Sequence, residues 1–311
     1  MGRNKRKTKQ IFIIINFVLV IALLILAFLE YQKYQNNYKQ KDKVVKEYQE
    51  IMNDKEVDED KIKDINAKID ELNNLDTKIK NTREEVFKLA SSLEKKIKNN
   101  ETNMKIAYLT FDDGPYYNTY KVLKILKENK VKATFFTTNT NGQYCYDNKK
   151  ANCHEVYKAI ANDNHTLANH TYTHGWNRGL YNNTNTFMDA IKKQENLIKE
   201  KTGVVTNIAR FPGGSSTPGA TRGKLMKQAL YDAGYGWVDW TASDGDGGYL
   251  KDYATGWKNF TGSIGEKIEV VLFHDYHQVT TSMLPNVIKY LREKNYIILP
   301  LFYESVMINK K

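Results

Sequence analysis

The sequence predicts an α/β domain held behind a membrane-spanning helix and a helical stalk. Three features of its 311 residues support that reading. Ile11 to Leu29 is a run of 19 residues without a charge. Tyr31 to Asn103 is rich in charge, carries no Gly or Pro, and repeats its apolar residues at helical spacing. Beyond Met104, short apolar runs of strand character end in polar residues, with helical stretches such as the one beginning near His154 between them.

From the N-terminus, residues 1–10 form a basic tail with Arg3, Lys5, Arg6, Lys7 and Lys9. The apolar run of residues 11–29 follows, interrupted only by Asn16, and is close to the roughly 20 residues that cross a bilayer. Positive charge ahead of such a run predicts a cytoplasmic N-terminus and an extracellular remainder. The run is longer than a usual signal-peptide core and no Ala-x-Ala site follows it, so it reads as a retained single-pass anchor.

Residues 30–103 are the predicted stalk. Ile62, Ile65, Ile69, Leu72, Ile79, Val86, Leu93 and Ile97 fall on alternating three- and four-residue steps, with Asp76, Arg83 and Ala90 in the remaining first positions. The pattern suits a coiled coil or helical hairpin, or an amphipathic helix laid on its own catalytic domain. Polar residues in the seam leave a homo-oligomer through the stalk open.

Residues 104–311 carry the chemistry. A strand over 106–111 delivers Thr110-Phe111-Asp112-Asp113-Gly114-Pro115, and 55 residues later comes His170-Thr171-Tyr172-Thr173-His174. Alone, the first is a turn and the second a helix face. Together they bring two adjacent carboxylates and a histidine pair into one compact segment. A catalytic zinc-type site takes three protein ligands, and mixed His and carboxylate ligation suits it, so Asp113, His170 and His174 are the candidate ligands. Asp112 then stays free as general base toward a water acidified by the metal. The glutamate of the metalloprotease His-Glu-x-x-His pattern is absent, which argues against peptidase chemistry. Zinc fits the ligand set, with cobalt and nickel as alternatives.

Further along, Arg210-Phe211-Pro212-Gly213-Gly214 offers a planar fork of donors to hold Asp112. A buried strand over 268–273 delivers His274, within Leu272-Phe273-His274-Asp275, to a loop where an acid could orient it to protonate a leaving group. Asp239, Asp244 and Asp246 are all open for that orienting role. Asp239 is favoured, because it lies directly before Trp240 at the end of the strand-like stretch 235–238. Asp244-Gly245-Asp246-Gly247-Gly248 lacks the glutamate of a calcium-binding EF-hand and reads as a turn.

The order Thr-Phe-Asp-Asp-Gly-Pro, His-Thr-x-x-His, Arg-x-Pro, Asp-Trp and Leu-x-His, spanning Thr110 to His274, resembles the five motifs of the polysaccharide deacetylases of carbohydrate esterase family 4, the NodB homology domain. The resemblance covers residues 104 to 305 and implies a distorted (β/α) barrel with fewer strands than the regular eight. It also implies hydrolysis of N-acetyl or O-acetyl groups from carbohydrate polymers. By it Asp112 is the base, Asp113, His170 and His174 hold a divalent metal, Arg210 tethers the base, and Asp239 tunes His274, the acid. Gly213, Trp240 and Leu272 are placed at the substrate, with Trp176 beside them. Many members carry an aromatic residue where this chain has Gly213; a glycine can still offer its backbone N–H to an oxyanion, without the aromatic wall. With a tether and stalk limiting reach, peptidoglycan N-acetylglucosamine is the expected substrate. Chitin oligosaccharide, poly-N-acetylglucosamine, N-acetylmuramic acid and acetylated xylan are the alternatives. A catalytically silent wall-binding scaffold is disfavoured, because Asp112, Asp113, His170, His174 and His274 are all present.

The net charge of +11 divides into +5 on residues 1–10, −1 on 11–103 and +7 on 104–311. A basic exported domain suits an anionic envelope. No nucleic-acid motif appears, so the expected partners are wall polysaccharide and the membrane. Cys145 and Cys153, the only cysteines, lie eight positions apart in a polar loop that follows a strand over 133–138, and in an exported domain they read as a disulfide.

Overall fold

The strand that carries the paired carboxylates organises the domain. In the computed structural model, which describes residues 2–53, 57–76 and 82–310, it is β1 (Lys105–Asp112), preceded by helices α1 (Gly2–Met52), α2 (Glu59–Asp76) and α3 (Thr82–Lys98). After it come α4 (Thr119–Glu128), β2 (Thr134–Thr137), the hairpin β3 (Tyr144–Cys145) and β4 (Asn148–Asn152), α5 (Cys153–Asn162), β5 (Thr166–Asn169) and α6 (Thr184–Thr202). The chain continues through β6 (Ile208–Ala209), α7 (Ala220–Asp232), β7 (Gly236–Trp237), β8 (Ala242–Ser243), α8 (Tyr253–Ser263), β9 (Ile268–His274), α9 (Gln278–Glu293) and β10 (Tyr296–Leu299). The large sheet is parallel, in the order β7-β6-β5-β2-β1-β9-β8, with β10 beside the first half of β1. Among the described residues β7 and β8 do not pair with each other, so the sheet is a curled, open half-barrel, as the resemblance implies.

Alternation along the strands assigns their faces. In β1, Ala107, Leu109 and Phe111 point to one side and Ile106, Tyr108, Thr110 and Asp112 to the other; β9 repeats this with Val271 and Phe273 against Val270, Leu272 and His274. The first side packs on α4, α5 and α9 through Val122, Leu126, Val156, Ile160, Leu284 and Val287. Each such large apolar side chain contributes about 1.5–3 kcal/mol on full burial, and a one-residue slip would turn every one of them away from its layer. That locks the register, which sets Asp112 opposite His274 and Thr110 opposite Leu272. Both chemistry-bearing residues thus emerge at the carboxyl ends of neighbouring parallel strands, where (β/α) folds gather their ligands.

The opposite face is covered by the N-terminal helices, which is the last of the three arrangements open to the stalk stripe. Ile62, Ile65, Ile69, Leu72, Ala90, Leu93 and Ile97 are buried in one cluster with Ile106, Tyr108, Phe136, Ile268, Ile297 and Leu299. The α2 and α3 helices lie on their own catalytic domain rather than projecting as a coiled coil. Helical spacing specifies an apolar stripe, not what covers it, and here the curled sheet supplies the cover. Among the described residues this seam is not left open for a homo-oligomer. Ile79 and the side chains of Asp76, Arg83 and Val86 lie outside the described residues. Polar contacts reinforce the docking. Glu94 accepts hydrogen bonds from the Tyr108 hydroxyl, from Ser305 Oγ at 2.5 Å and from the Val306 N–H at 2.7 Å. Arg292 pairs with Asp70 at 3.1 Å, and Asn66 Nδ2 donates to the Tyr296 carbonyl at 3.3 Å. The expected boundary between residues 103 and 104 therefore runs through a shared core.

Farther toward the N-terminus, α1 holds a stretch long and apolar enough to cross a membrane, and its described apolar side chains from Val18 to Leu29 are exposed. The side chains of residues 2–17 lie outside the described set. Cys145 and Cys153 form a disulfide, with Cα atoms 4.9 Å apart, that ties the β3–β4 hairpin to the start of α5. Asn152 caps that helix by accepting from the His154 N–H at 2.9 Å. The strand expected over 235–238 shortens to Gly236–Trp237.

Candidate active site

Immediately after β1 the backbone turns left-handed at Asp113, with φ 68°. A residue with a β-carbon adopts this region reluctantly. Thr171 and His174, on the turn after β5, do the same at φ 66° and 47°. The histidine pair therefore sits on an irregular turn and not on a helix face, and each such residue costs on the order of 1–3 kcal/mol that the surrounding packing must offset. Gly114 is required where it stands, because a β-carbon there would lie 2.3 Å from Asp275 Oδ2.

These turns converge three ligand atoms. The His170 Nδ1–H donates to the Arg210 carbonyl at 2.9 Å, which leaves Nε2 as a lone pair 3.4 Å from Asp113 Oδ1. His174 Nε2 lies 3.0 Å from the same oxygen. One donor atom each from Asp113, His170 and His174 falls within 4.8 Å of the others. Asp113 Oδ1 is buried and has no hydrogen-bond donor. Burial opposes the charged form of Asp113, yet His170, His274 and His174 around it hold its carboxyl well below the usual carboxylate range. Burial, together with neighbouring His170, brings His174 down to about 4 and keeps it neutral. An orphaned carboxylate oxygen facing two imidazole lone pairs fits a divalent cation.

Asp112 is buried beside this cluster, its Oδ2 3.7 Å from His170 Nε2. Its Oδ1 accepts from Arg210 Nη1 at 2.8 Å, and the same nitrogen donates to Thr110 Oγ1 at 2.8 Å. Arg210 Nε donates to the Val238 carbonyl at 3.2 Å and Nη2 to the Asp239 carbonyl at 3.1 Å, while its guanidinium lies 4.1 Å over the Phe136 ring. Burial lowers the pKa of Arg210 and Asp112 works against that shift; a guanidinium stays charged in either case. Removing one member of a buried pair leaves an uncompensated charge, typically at a cost of about 3–5 kcal/mol.

Across the cleft, His274 Nε2 lies 3.7 Å from Asp113 Oδ2. Its Nδ1–H donates to Asp246 Oδ1 and its backbone N–H to Asp246 Oδ2, both at 2.7 Å. Burial pulls the imidazole down, but Asp246, with Asp113 and Asp112 behind it, lifts His274 to about 9.

The acid that faces His274 is therefore Asp246 and not Asp239. Asp239 instead accepts from the Ser215 N–H at 2.9 Å and the Ser215 hydroxyl at 2.6 Å, and so pins the turn after Arg210. Strand pairing is the reason: Asp239 leaves β7, while Asp246 follows β8, which is hydrogen-bonded to β9 and thus to the strand of His274. The glycine-rich run that read as a plain turn holds this acid. Gly247 in that run permits close approach, since a β-carbon would lie 2.9 Å from His274 Cε1.

Asp112, Asp113, His170, His174 and His274 share a cleft of about 350 Å³ with Trp176, Gly213, Trp240, Leu272, Asp246 and Gly247. Gly213 and Gly214 turn at φ 76° and 90° along its wall, with Gly214 tight against the Trp240 ring. Arg210 lies beneath the cleft, and the disulfide stands apart from its lining. Thr110 was missed by sequence reasoning although it precedes Asp112 by two positions on the same strand face. Asp246 is one of the three acids the sequence leaves open for His274, though not the favoured one, and Thr280, which contacts it, carries no sequence signal.

A family profile described as polysaccharide deacetylase matches residues 99–235. The chain is 31% identical over 227 residues to a peptidoglycan-N-acetylglucosamine deacetylase of Bacillus cereus, covering 69% of this chain and 78% of that protein. Among solved structures it is similar to the catalytic domain of a peptidoglycan N-acetylglucosamine deacetylase from Eubacterium rectale, at 32% identity and a TM-score of 0.58 over 67% of this chain and 94% of the other. It is also similar to a polysaccharide deacetylase from Bacillus cereus, at 29% identity and a TM-score of 0.56 over 65% and 94%.

Proposed function

Because the chain belongs to the polysaccharide deacetylase family, we propose that it hydrolyses acetyl groups from peptidoglycan N-acetylglucosamine in a metal-dependent reaction, releasing acetate and a free amino sugar. The observation that carries this reading is the placement of Asp112 and His274 in register on adjacent strands, on either side of the Asp113, His170 and His174 cluster.

Asp113, His170 and His174 would hold one divalent ion, zinc by the character of the donors. Such an ion supplies a Lewis acid for the acetyl oxygen and a lower pKa for the attacking water. Asp112, fixed by Arg210, takes the proton of that water as it adds to the acetyl carbon. Gly213 offers a backbone N–H toward the developing oxyanion. His274 enters protonated at neutral pH because Asp246 raises it to about 9, and it donates from Nε2 to the sugar nitrogen as the C–N bond breaks. Trp240, Trp176 and Leu272 give the cleft apolar walls suited to a pyranose ring.

Topology supports a wall substrate. Basic residues precede the apolar stretch of α1, which favours a cytoplasmic N-terminus with the catalytic domain outside, and the disulfide suits an oxidising compartment. Acetate release from peptidoglycan, an N-acetylglucosamine oligomer and acetylated xylan, assayed in parallel with the full chain in detergent, tests the substrate. Fastest turnover on peptidoglycan is expected; preference for acetylated xylan would overturn the assignment.

A further inference from the structure

Thr280, at the start of α9, has one hydroxyl hydrogen and two carboxylate neighbours. Its Oγ lies 2.7 Å from Asp244 Oδ2 and 2.8 Å from Asp246 Oδ2. Both acids are buried, at 0% and 1% exposure, and so is Thr280 at 2%. A hydroxyl can donate to only one of two oxygens at such distances. The other contact needs a hydrogen from the carboxyl side.

Asp246 is a poor carrier of that hydrogen, because both of its oxygens already accept from His274, one from the ring Nδ1–H and one from the backbone N–H. Asp244 Oδ1 accepts from the Asp246 N–H at 3.1 Å, which leaves Asp244 Oδ2 as the oxygen able to carry it. We infer that Asp244 is a neutral carboxylic acid whose O–H donates to Thr280, that Thr280 donates to Asp246, and that the two are positioning residues for His274. Burial and the adjacent Asp246 raise Asp244 to about 7, in keeping with one shared proton in this pair. A hydroxyl linking two carboxyls allows one orientation of Asp246, the one that presents Oδ1 to the imidazole.

The relevance to turnover rests on the deacetylase reading, whereas the protonation of Asp244 does not. Infrared difference spectra of the full chain in detergent at pH 6, wild type minus Asp244→Asn, read the latter directly. Loss of a protonated-carboxyl C=O band in the variant is expected; loss of a carboxylate band instead overturns the inference. In kinetics on peptidoglycan, Thr280→Val and Asp244→Ala should each lower kcat by at least about 10-fold with KM within about 2-fold. Thr280→Ser and Asp244→Asn should restore most of it, because a hydroxyl and a carboxamide N–H supply the missing donors. Wild-type kcat in Thr280→Val, or an Asp244→Asn variant as impaired as Asp244→Ala, contradicts the chain of donors. If the wild type releases no acetate, the proposed function fails and the infrared band still decides on Asp244.

Discussion

Arg210 is wholly buried and Asp112 nearly so, and the hydrogen bond between them gives each its counter-charge. Lysine would keep the charge but lose the fork that also reaches Thr110, Val238 and Asp239. Arg210→Lys should therefore lower kcat by about 10- to 100-fold, as losses of orienting partners commonly do, measured as steady-state acetate release. His274 gives a pH prediction with a definite sign. Its folded-state value of about 9 lies above the ordinary imidazole value, so the acid form persists through neutrality and kcat should fall as pH rises through about 9. The associated stability is fully present below the unfolded value of about 6.5 and is lost as pH climbs through about 9. Asp246→Asn should move the alkaline limb of the kcat profile toward that ordinary value; an unmoved limb would mean another group sets it. That Asp112, Asp113, His170, His174 and His274 come together in one cleft was legible, because their types and spacing suit a ligand and acid–base set that few other arrangements explain. The choice of Asp246 over Asp239 and Asp244 was not, because an acid between glycines carries no periodicity, and only the pairing of β8 with β9 brings it under His274.

Two elements brace the domain away from the cleft. The β3–β4 hairpin is closed by Cys145 and Cys153, and Asp147 on it accepts from the Tyr117 and Asn118 N–H groups at 2.8 and 2.9 Å, steadying the loop that follows Pro115. Opening so short a loop in Cys145→Ser should cost about 2–3 kcal/mol by chain entropy, read by denaturant unfolding. On α3, Glu94 is the acceptor for three donors, two of them buried and the third half-buried. Glu94→Ala strands them, at about 1–3 kcal/mol for each group left unsatisfied, and thermal unfolding should show the loss. Burial raises Glu94 to about 7, above its unfolded value, so its contribution is strongest in acid and weakens as pH rises through about 7. The difference in melting temperature between wild type and Glu94→Gln should change in that direction between pH 5 and pH 8. The strands over 106–111 and 268–273 were readable as apolar runs with chemistry at their ends. The partner of the 62–97 stripe was not, because helical spacing is the same against a sheet as against a second chain.

For the whole molecule, the shared core of α2, α3 and the sheet means that the catalytic domain does not begin where its motifs do. Residues 104–311 alone would expose Ile106, Tyr108, Phe136, Ile297 and Leu299 to water. That fragment should aggregate or melt well below a chain that keeps residues 57–103, and equal melting temperatures would contradict the role given to the helices. The half-barrel itself was legible only through the resemblance carried by the five motifs, since strands as short as Ile208–Ala209 and Ala242–Ser243 leave almost no pattern of their own. The proposed deacetylation depends on a metal held by Asp113, His170 and His174. Acetate release from peptidoglycan by the full chain, measured before chelation, after chelation and after zinc is restored, tests it most directly. Release that stops on chelation, returns with zinc and is absent in His170→Ala is the predicted result; release that persists in the metal-free protein or in His170→Ala would contradict it.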